Sequence, residues 1–335
     1  MKKPQLMLLL FLFLTLTLLG LFWRSRQPAE GIPVPSPTPP PTAESVPLLP
    51  ITPLPGQSAG TAFTFALSPP RVPDALPVYA LATGEEPLVI AKRLASVFGL
   101  SGEPAVAKEL TSRFYTWRGA GSSLTLRETP ASLSFRRDQL PTGVGPTAEQ
   151  AQQIVVDLVN EASLLPPGVR LAAPEVGFYR AQGPNPIQIK EPGGGSFVQL
   201  SFGFELNNFP LWIEPKTRTG ITVFVGNGPR VTSLSIVVPP ALVEGEWAPV
   251  IGFSQAALAL RSGRGTLVEK SSPGADETTP NISLGLVTIS RARLVYVFDP
   301  QGAVAAPAYA FSGTGRQKDS RQSARVTYLV AAITD

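Results

Sequence analysis

Carboxylates are the only side chains here with the numbers to do acid–base or nucleophilic work, because the 335 residues include no His and no Cys. That absence excludes Ser-His-Asp and Cys-His arrangements, disulfides, Cys/His zinc sites and haem with the usual axial His. The close acidic pairs are Glu85-Glu86, Glu244 with Glu246, and Asp276-Glu277. Hydrolysis of a glycosidic bond needs two carboxyls facing each other across a cleft, usually from different strands. Acids adjacent in a loop read as solvated surface instead. Gly193-Gly194-Gly195 lacks the Gly-Lys-Ser/Thr ending of a phosphate loop and reads as a hairpin loop, and Gly313-Thr314-Gly315 is equally empty. There is no Gly-x-Ser-x-Gly elbow, no Ser-x-x-Lys and no Asp-x-Asp-x-Asp-Gly calcium loop. No catalytic, cofactor-binding or metal-ligating residue is assigned, no cofactor is expected, and the chain reads as a non-enzyme.

Binding chemistry has somewhat more material. Arg316, Lys318, Arg321 and Arg325 form a modest basic cluster that suits a solvated loop or contact with an anionic lipid, a teichoic acid or a partner. Phe209, Trp212 and Trp247 are either core residues or anchors for a partner. Asn281-Ile282-Ser283 matches a glycosylation sequon, a pattern short enough to arise by chance. The net charge is +4 from 28 bases and 24 acids. Lys2, Lys3, Arg24 and Arg26 are four of those bases, and Glu30 and Glu44 two of the acids, so the chain beyond residue 60 carries only about +2. That is too little to argue for a nucleic-acid partner.

The elements that would position these groups run helix-then-strands three times. Pro87 suits a first helical turn, and Ile90, Ala91, Leu94 and Phe98 recur at helical spacing before Gly99. Alternating runs follow at Arg113–Trp117, Ser123–Leu126 and Ser132–Phe135, read as an antiparallel meander. Thr147 and Gln150 predict a capping box, with Ala151, Ile154, Val155, Leu158 and Ala162 as the apolar stripe and Pro166-Pro167-Gly168 as the stop. Strands are expected at Val176–Arg180, Phe197–Leu206, Ile221–Val225 and Val231–Val238, with Gly226-Asn227-Gly228 as the turn between the last two. A third helix is expected with Ser254 as its cap, and a polar loop over Leu267–Pro280. Strands then resume at Leu284–Ser290, Leu294–Phe298, Ala308–Phe311 and Val326–Ala332. Adjacent strands with sparse helices predict an α+β fold: antiparallel sheets, each with a helix on one face, in tandem modules over residues 61–145 and 146–335.

Ahead of these elements, Leu6 to Trp23 is uncharged and dominated by Leu and Phe. Eighteen helical residues reach about 27 Å, close to the hydrocarbon thickness of a bilayer. The segment reads as an uncleaved transmembrane anchor, because it is longer than a signal-peptide core and ends in bulky residues. Lys2, Lys3 and the α-amine against Arg24 and Arg26 favour, narrowly, residues 1–5 in the cytoplasm and the C-terminal part outside it. Residues 24–60 are rich in Pro, including Pro33 through Pro41, and read as an extended stalk. The expected setting is a single-pass protein in a cell membrane, with the lipid bilayer met through Leu6 to Trp23.

A helix followed by a meander, repeated behind one anchor, resembles the PepSY-like domains of bacterial envelope proteins and the YycI/YycH type of extracytoplasmic regulator. The residues that carry the resemblance are Ala91 and Leu94 through Gly99-Leu100; Ser123-Leu124-Thr125-Leu126; Phe204-Glu205-Leu206 before Phe209-Pro210-Leu211; and Ala306 through Phe311. It spans roughly Ala82 to the end. It implies regulation by contact with an envelope protein, such as a sensor kinase or a peptidase, and carries over no catalytic residue. Two rivals stay open: a domain that binds wall polymer or has a structural role in the envelope, and a carboxylate-based hydrolase.

Overall fold

Two helices and nine strands build the first half of the architecture around one apolar face. The computed structural model describes residues 61–334, apart from 110, 120, 140–142, 183–184, 191–194, 214–217, 228–229, 272–283 and 319–322. The anchor, the stalk, Asp276-Glu277, the sequon, Gly193-Gly194 and Arg321 lie outside the described residues. All described residues belong to one compact unit. Among them no helix is long and apolar enough to cross a membrane.

Helix α1 (Pro87–Val97) starts at its proline and buries Ile90, Ala91, Leu94 and Ala95. Helix α2 (Ala148–Glu161) carries the capping box: Gln150 N–H donates to Thr147 Oγ1 at 3.2 Å, and Thr147 N–H donates to Gln150 Oε1 at 3.0 Å. Its stripe buries Ala151, Val155, Leu158 and Val159. Each fully buried Leu, Ile or Val contributes about 1.5–3 kcal/mol relative to exposure, so these stripes and not helix propensity hold the helices.

Both stripes enter the same core as one face of a nine-stranded antiparallel sheet. Its strands, in spatial order, are β3 (Ala105–Glu109), β4 (Ser112–Gly119), β5 (Ser122–Arg127), β6 (Ser132–Arg137), β14 (Arg230–Val237), β13 (Ile221–Gly226), β10 (Phe197–Phe202), β8 (Glu175–Gln182) and β9 (Asn185–Ile189). Leu124, Leu126, Leu133, Phe135, Leu234, Val223 and Leu200 face the helices. The ring of Phe98, just past α1, stacks on Phe135 at 3.7 Å between centroids. Period-2 alternation sends the intervening Ser, Thr and Arg residues to the opposite side.

The second sheet has ten strands. Its main path is β15 (Leu242–Pro249), β2 (Ala75–Leu81), β18 (Val304–Gln317), β17 (Leu284–Asp299), β12 (Phe209–Trp212), β11 (Phe204–Leu206) and β7 (Val169–Leu171). β1 (Ala62–Phe65) joins β17, and β19 (Ser323–Ala331) links β18 to β16 (Thr266–Ser271). Helix α3 (Phe253–Arg261) buries Ala256, Ala259 and Leu260 against this sheet, in a core with Tyr309, Phe311, Tyr328 and Val330.

The chain is therefore mixed and rich in sheet, with three helices among the described residues, and the α+β class fits it loosely. Four details differ from the sequence reading. First, the sheets are not tandem: β6 pairs with β14, with Leu133 opposite Ile236, so strands from both sides of residue 145 share one sheet. Second, the run Phe197–Leu206 is two strands, because the chain leaves one sheet after Phe202 and enters the other at Phe204. Third, Gly252 and not Ser254 caps α3. Fourth, the expected polar loop begins as strand β16, which pairs with β19.

Candidate binding cleft

A concavity of about 860 Å³ lies beside the N-terminus of α1 and the C-terminal end of α2. Its walls come from the chain leaving β2 (Leu81–Pro87), the turn at Pro130-Ala131, the segment Ser163–Pro167, the chain leaving β14 (Val237–Ala241), and Phe298 with Pro300. Seven of the lining residues are prolines: Pro87, Pro130, Pro166, Pro167, Pro239, Pro240 and Pro300. Proline fixes φ and removes a donor, so these walls are stiff and offer few N–H groups.

Backbone hydrogen bonds hold the walls together. Ala82 N–H donates to Ala241 C=O at 2.9 Å, and Val238 N–H to Ala131 C=O at 3.0 Å. A Cβ on Gly84 would lie 2.8 Å from Ala241 Cβ, so glycine is what lets these two segments close up. At the rim, Arg93 grips both carboxylate oxygens of Glu85 and donates from Nε to Ala162 C=O at 2.7 Å. The segment before α1 is thereby tied to the end of α2. The pair is 33% and 40% exposed, so its part is positional more than energetic.

The wall Pro239–Ala241 leads directly into β15, an edge strand: it pairs with β2 on one side and, among the described residues, with no strand on the other. Val243 and Trp247 of that strand are 54% and 60% exposed. A bulge between Glu244 and Trp247 and the acids Glu244 and Glu246 interrupt its edge, the devices by which open edges avoid indiscriminate pairing. Chemically, the cleft and the edge can hold an apolar, extended chain: walls for side chains, and main-chain groups for a strand.

The acidic pairs sort as follows. Glu85 is engaged by Arg93, while Glu86 is the N-cap residue of α1 with no side-chain cap bond. Glu244 accepts from Trp247 Nε1 at 3.0 Å and lies opposite Tyr79 in the strand register. Burial, and then the charge of Glu244, raises the Tyr79 hydroxyl above its ordinary value. No three acidic side chains group as metal ligands among the described residues. Of the basic cluster, Arg316 lies opposite Ser323 and Arg325 opposite Thr314, two register steps apart on β18 and β19. Of the three aromatics, Trp212 is buried beneath the guanidinium groups of Arg218 and Arg293, Phe209 is half-buried near Tyr296, and only Trp247 is exposed. Sequence reasoning missed the cleft, since its walls come from loops far apart in the chain; the Pro-Pro pairs at 166–167 and 239–240 were the one local signal.

No family model and no curated protein matches the chain. Among solved structures it is similar to the Bacillus megaterium YpeB C-terminal domain, with 12% sequence identity over 72% of this chain and 96% of that one, at a TM-score of 0.34.

Proposed function

We propose that the chain is a non-catalytic binding protein of the cell envelope, tethered through Leu6 to Trp23, that takes an extended apolar segment of an envelope protein. The segment lies along β15 and seats a side chain in the proline-walled cleft. The observation that carries this reading is the continuity of the two features: the cleft wall at Pro239–Ala241 becomes the open strand at Leu242. Strand addition supplies main-chain hydrogen bonds, and a pocket beside the edge supplies selectivity. The one carboxylate fixed at the cleft rim, Glu85, is bound by Arg93, which leaves it a positioning part.

The test places a photo-crosslinking amino acid at Leu81 or Val243 of the full chain in its native membrane. A discrete protein adduct is expected, lost when Ala82→Trp fills the cleft and reduced by Val243→Lys. Labelling that is the same in parent and Ala82→Trp chains, both folded by circular dichroism, would sink the proposal.

A further inference from the structure

The side of the nine-stranded sheet facing away from α1 and α2 is lined by hydroxyls in register. Across six neighbouring strands, β4 to β10, the ladder aligns Thr116, Thr125, Ser134, Ser235, Thr222 and Ser201. The next row holds Arg118, Ser123, Arg136, Ser233, Phe224 and Gln199. Neighbours within a row are about 4.8 Å apart and these two rows about 6.8 Å apart. Thr116 and Thr125 share a hydrogen bond at 3.3 Å, which leaves each hydroxyl further bonding capacity.

The same register puts Arg127 and Arg230 on this side with Arg118 and Arg136. All four are exposed, and none has an ion-pair partner among the described residues. The strand acids on this side, Glu109 and Glu175, sit on the outlying strands β3 and β8. Asp138, whose N–H donates to Gly121 C=O at 2.9 Å, follows Arg136 at the end of β6, so four arginines face a single acid near the centre. The centre is therefore cationic and rich in hydroxyls.

We infer that this face binds an anionic glycan. Arg118 and Arg136 lie two strands apart, about 10 Å, and each can take one acidic group of the polymer through a bidentate guanidinium contact. Ser123 lies between them, and the Thr116–Ser201 row alongside exchanges hydrogen bonds with sugar hydroxyls. A bilayer would call for apolar anchors where this face presents Ser and Thr. A single-stranded nucleic acid would call for stacking platforms along its track. The aromatics on this face do not make such a track: Tyr179 and Phe224 meet edge to face at 5.3 Å to one side of the arginines, and Phe114 lies apart from them on β4, opposite Arg127.

This inference is independent of the cleft, and its test keeps the two apart. The full chain, in neutral detergent, is titrated with polygalacturonate, its methyl ester, a single-stranded oligonucleotide and anionic phospholipid vesicles. Polygalacturonate is expected to bind, with affinity falling as salt rises. The double variant Arg118→Gln/Arg136→Gln should weaken it tenfold or more, and Thr125→Glu, which sets a like charge beside the polymer, should weaken it comparably. Ala82→Trp should leave it unchanged. Should either loss variant melt differently from the parent, the other carries the result. Equal binding of the methyl ester, tighter binding of oligonucleotide or vesicles, or loss variants that bind like the parent would each overturn the inference.

Discussion

The hydroxyl of Tyr296 donates to the backbone carbonyl of Pro77 at 3.0 Å, 219 residues earlier in the chain, in the interior of the ten-stranded sheet. Tyr309 makes the equivalent bond to Ile251 C=O at 2.8 Å, whereas the hydroxyl of Tyr328 is buried with no partner among the described residues. A buried acceptor that loses its donor costs about 1–3 kcal/mol, and an unpartnered hydroxyl contributes nothing comparable. Tyr296→Phe and Tyr309→Phe should therefore each lower unfolding free energy by about 1 kcal/mol or more. Tyr328→Phe should be neutral or stabilising. Urea denaturation of the three variants checks this; equal losses would mean the hydrogen bonds do not set the difference.

The same tyrosines dictate an alkaline limit. Burial pushes the Tyr309 and Tyr328 hydroxyls up to about 12 and raises Tyr296 as well. The unfolded chain titrates them near 10. Above that pH the unfolded state holds fewer protons than the folded one, so the slope of stability against pH is negative. The stabilisation is fully present below pH 10 and is lost as pH rises through about 12. Tyrosinate absorbance from Tyr309 and Tyr328 should appear only together with unfolding. A single stage near the ordinary value would contradict the burial.

Thr147→Ala removes the hydroxyl that accepts from Gln150 N–H and breaks the reciprocal capping box. The expected cost is about 1 kcal/mol. Thr147→Ser should retain most of it, and the comparison by thermal denaturation separates the cap from general packing. Because α2 ends at Ala162, whose carbonyl accepts from Arg93, fraying of this helix should also loosen the rim of the cleft.

That cap was legible residue by residue, because Thr-x-x-Gln before an apolar stripe is a local signal with a local cause. So were the meander pairs Leu124/Leu126 and Leu133/Phe135, which depend only on the period of the strand. What could not be read was which strand meets which. β1 runs parallel to β17, with Ala62 opposite Leu286, and β12 runs parallel to β17, with Leu211 opposite Tyr296. These contacts span more than 80 residues and leave no periodic trace. Edge strands such as β3, exposed at every residue, show no alternation to detect. The cleft is a product of that long-range pairing, whereas the Ser/Thr face is half written in the alternation itself.

Glycine supplies the last case. Gly313-Thr314-Gly315 carries no chemical motif, yet it lies inside β18, beside the register shift of β17 between Ile289 and Arg291. A Cβ on Gly313 would stand 2.0 Å from Thr288 O and 2.8 Å from Ile289 Cα, both backbone atoms that cannot rotate away. On Gly315 the nearest atom would be Leu284 Cδ2 at 2.8 Å, the far end of a flexible side chain. Gly313→Ala should therefore cost about 1–3 kcal/mol or more as overpacking, with the strand forced off its partner. Gly315→Ala should cost less, because Leu284 can change rotamer. Chemical denaturation of the two variants side by side tests the claim. If Gly315→Ala proves as damaging as Gly313→Ala, the constraint is not the backbone approach at the bulge but the loss of glycine from the strand as such.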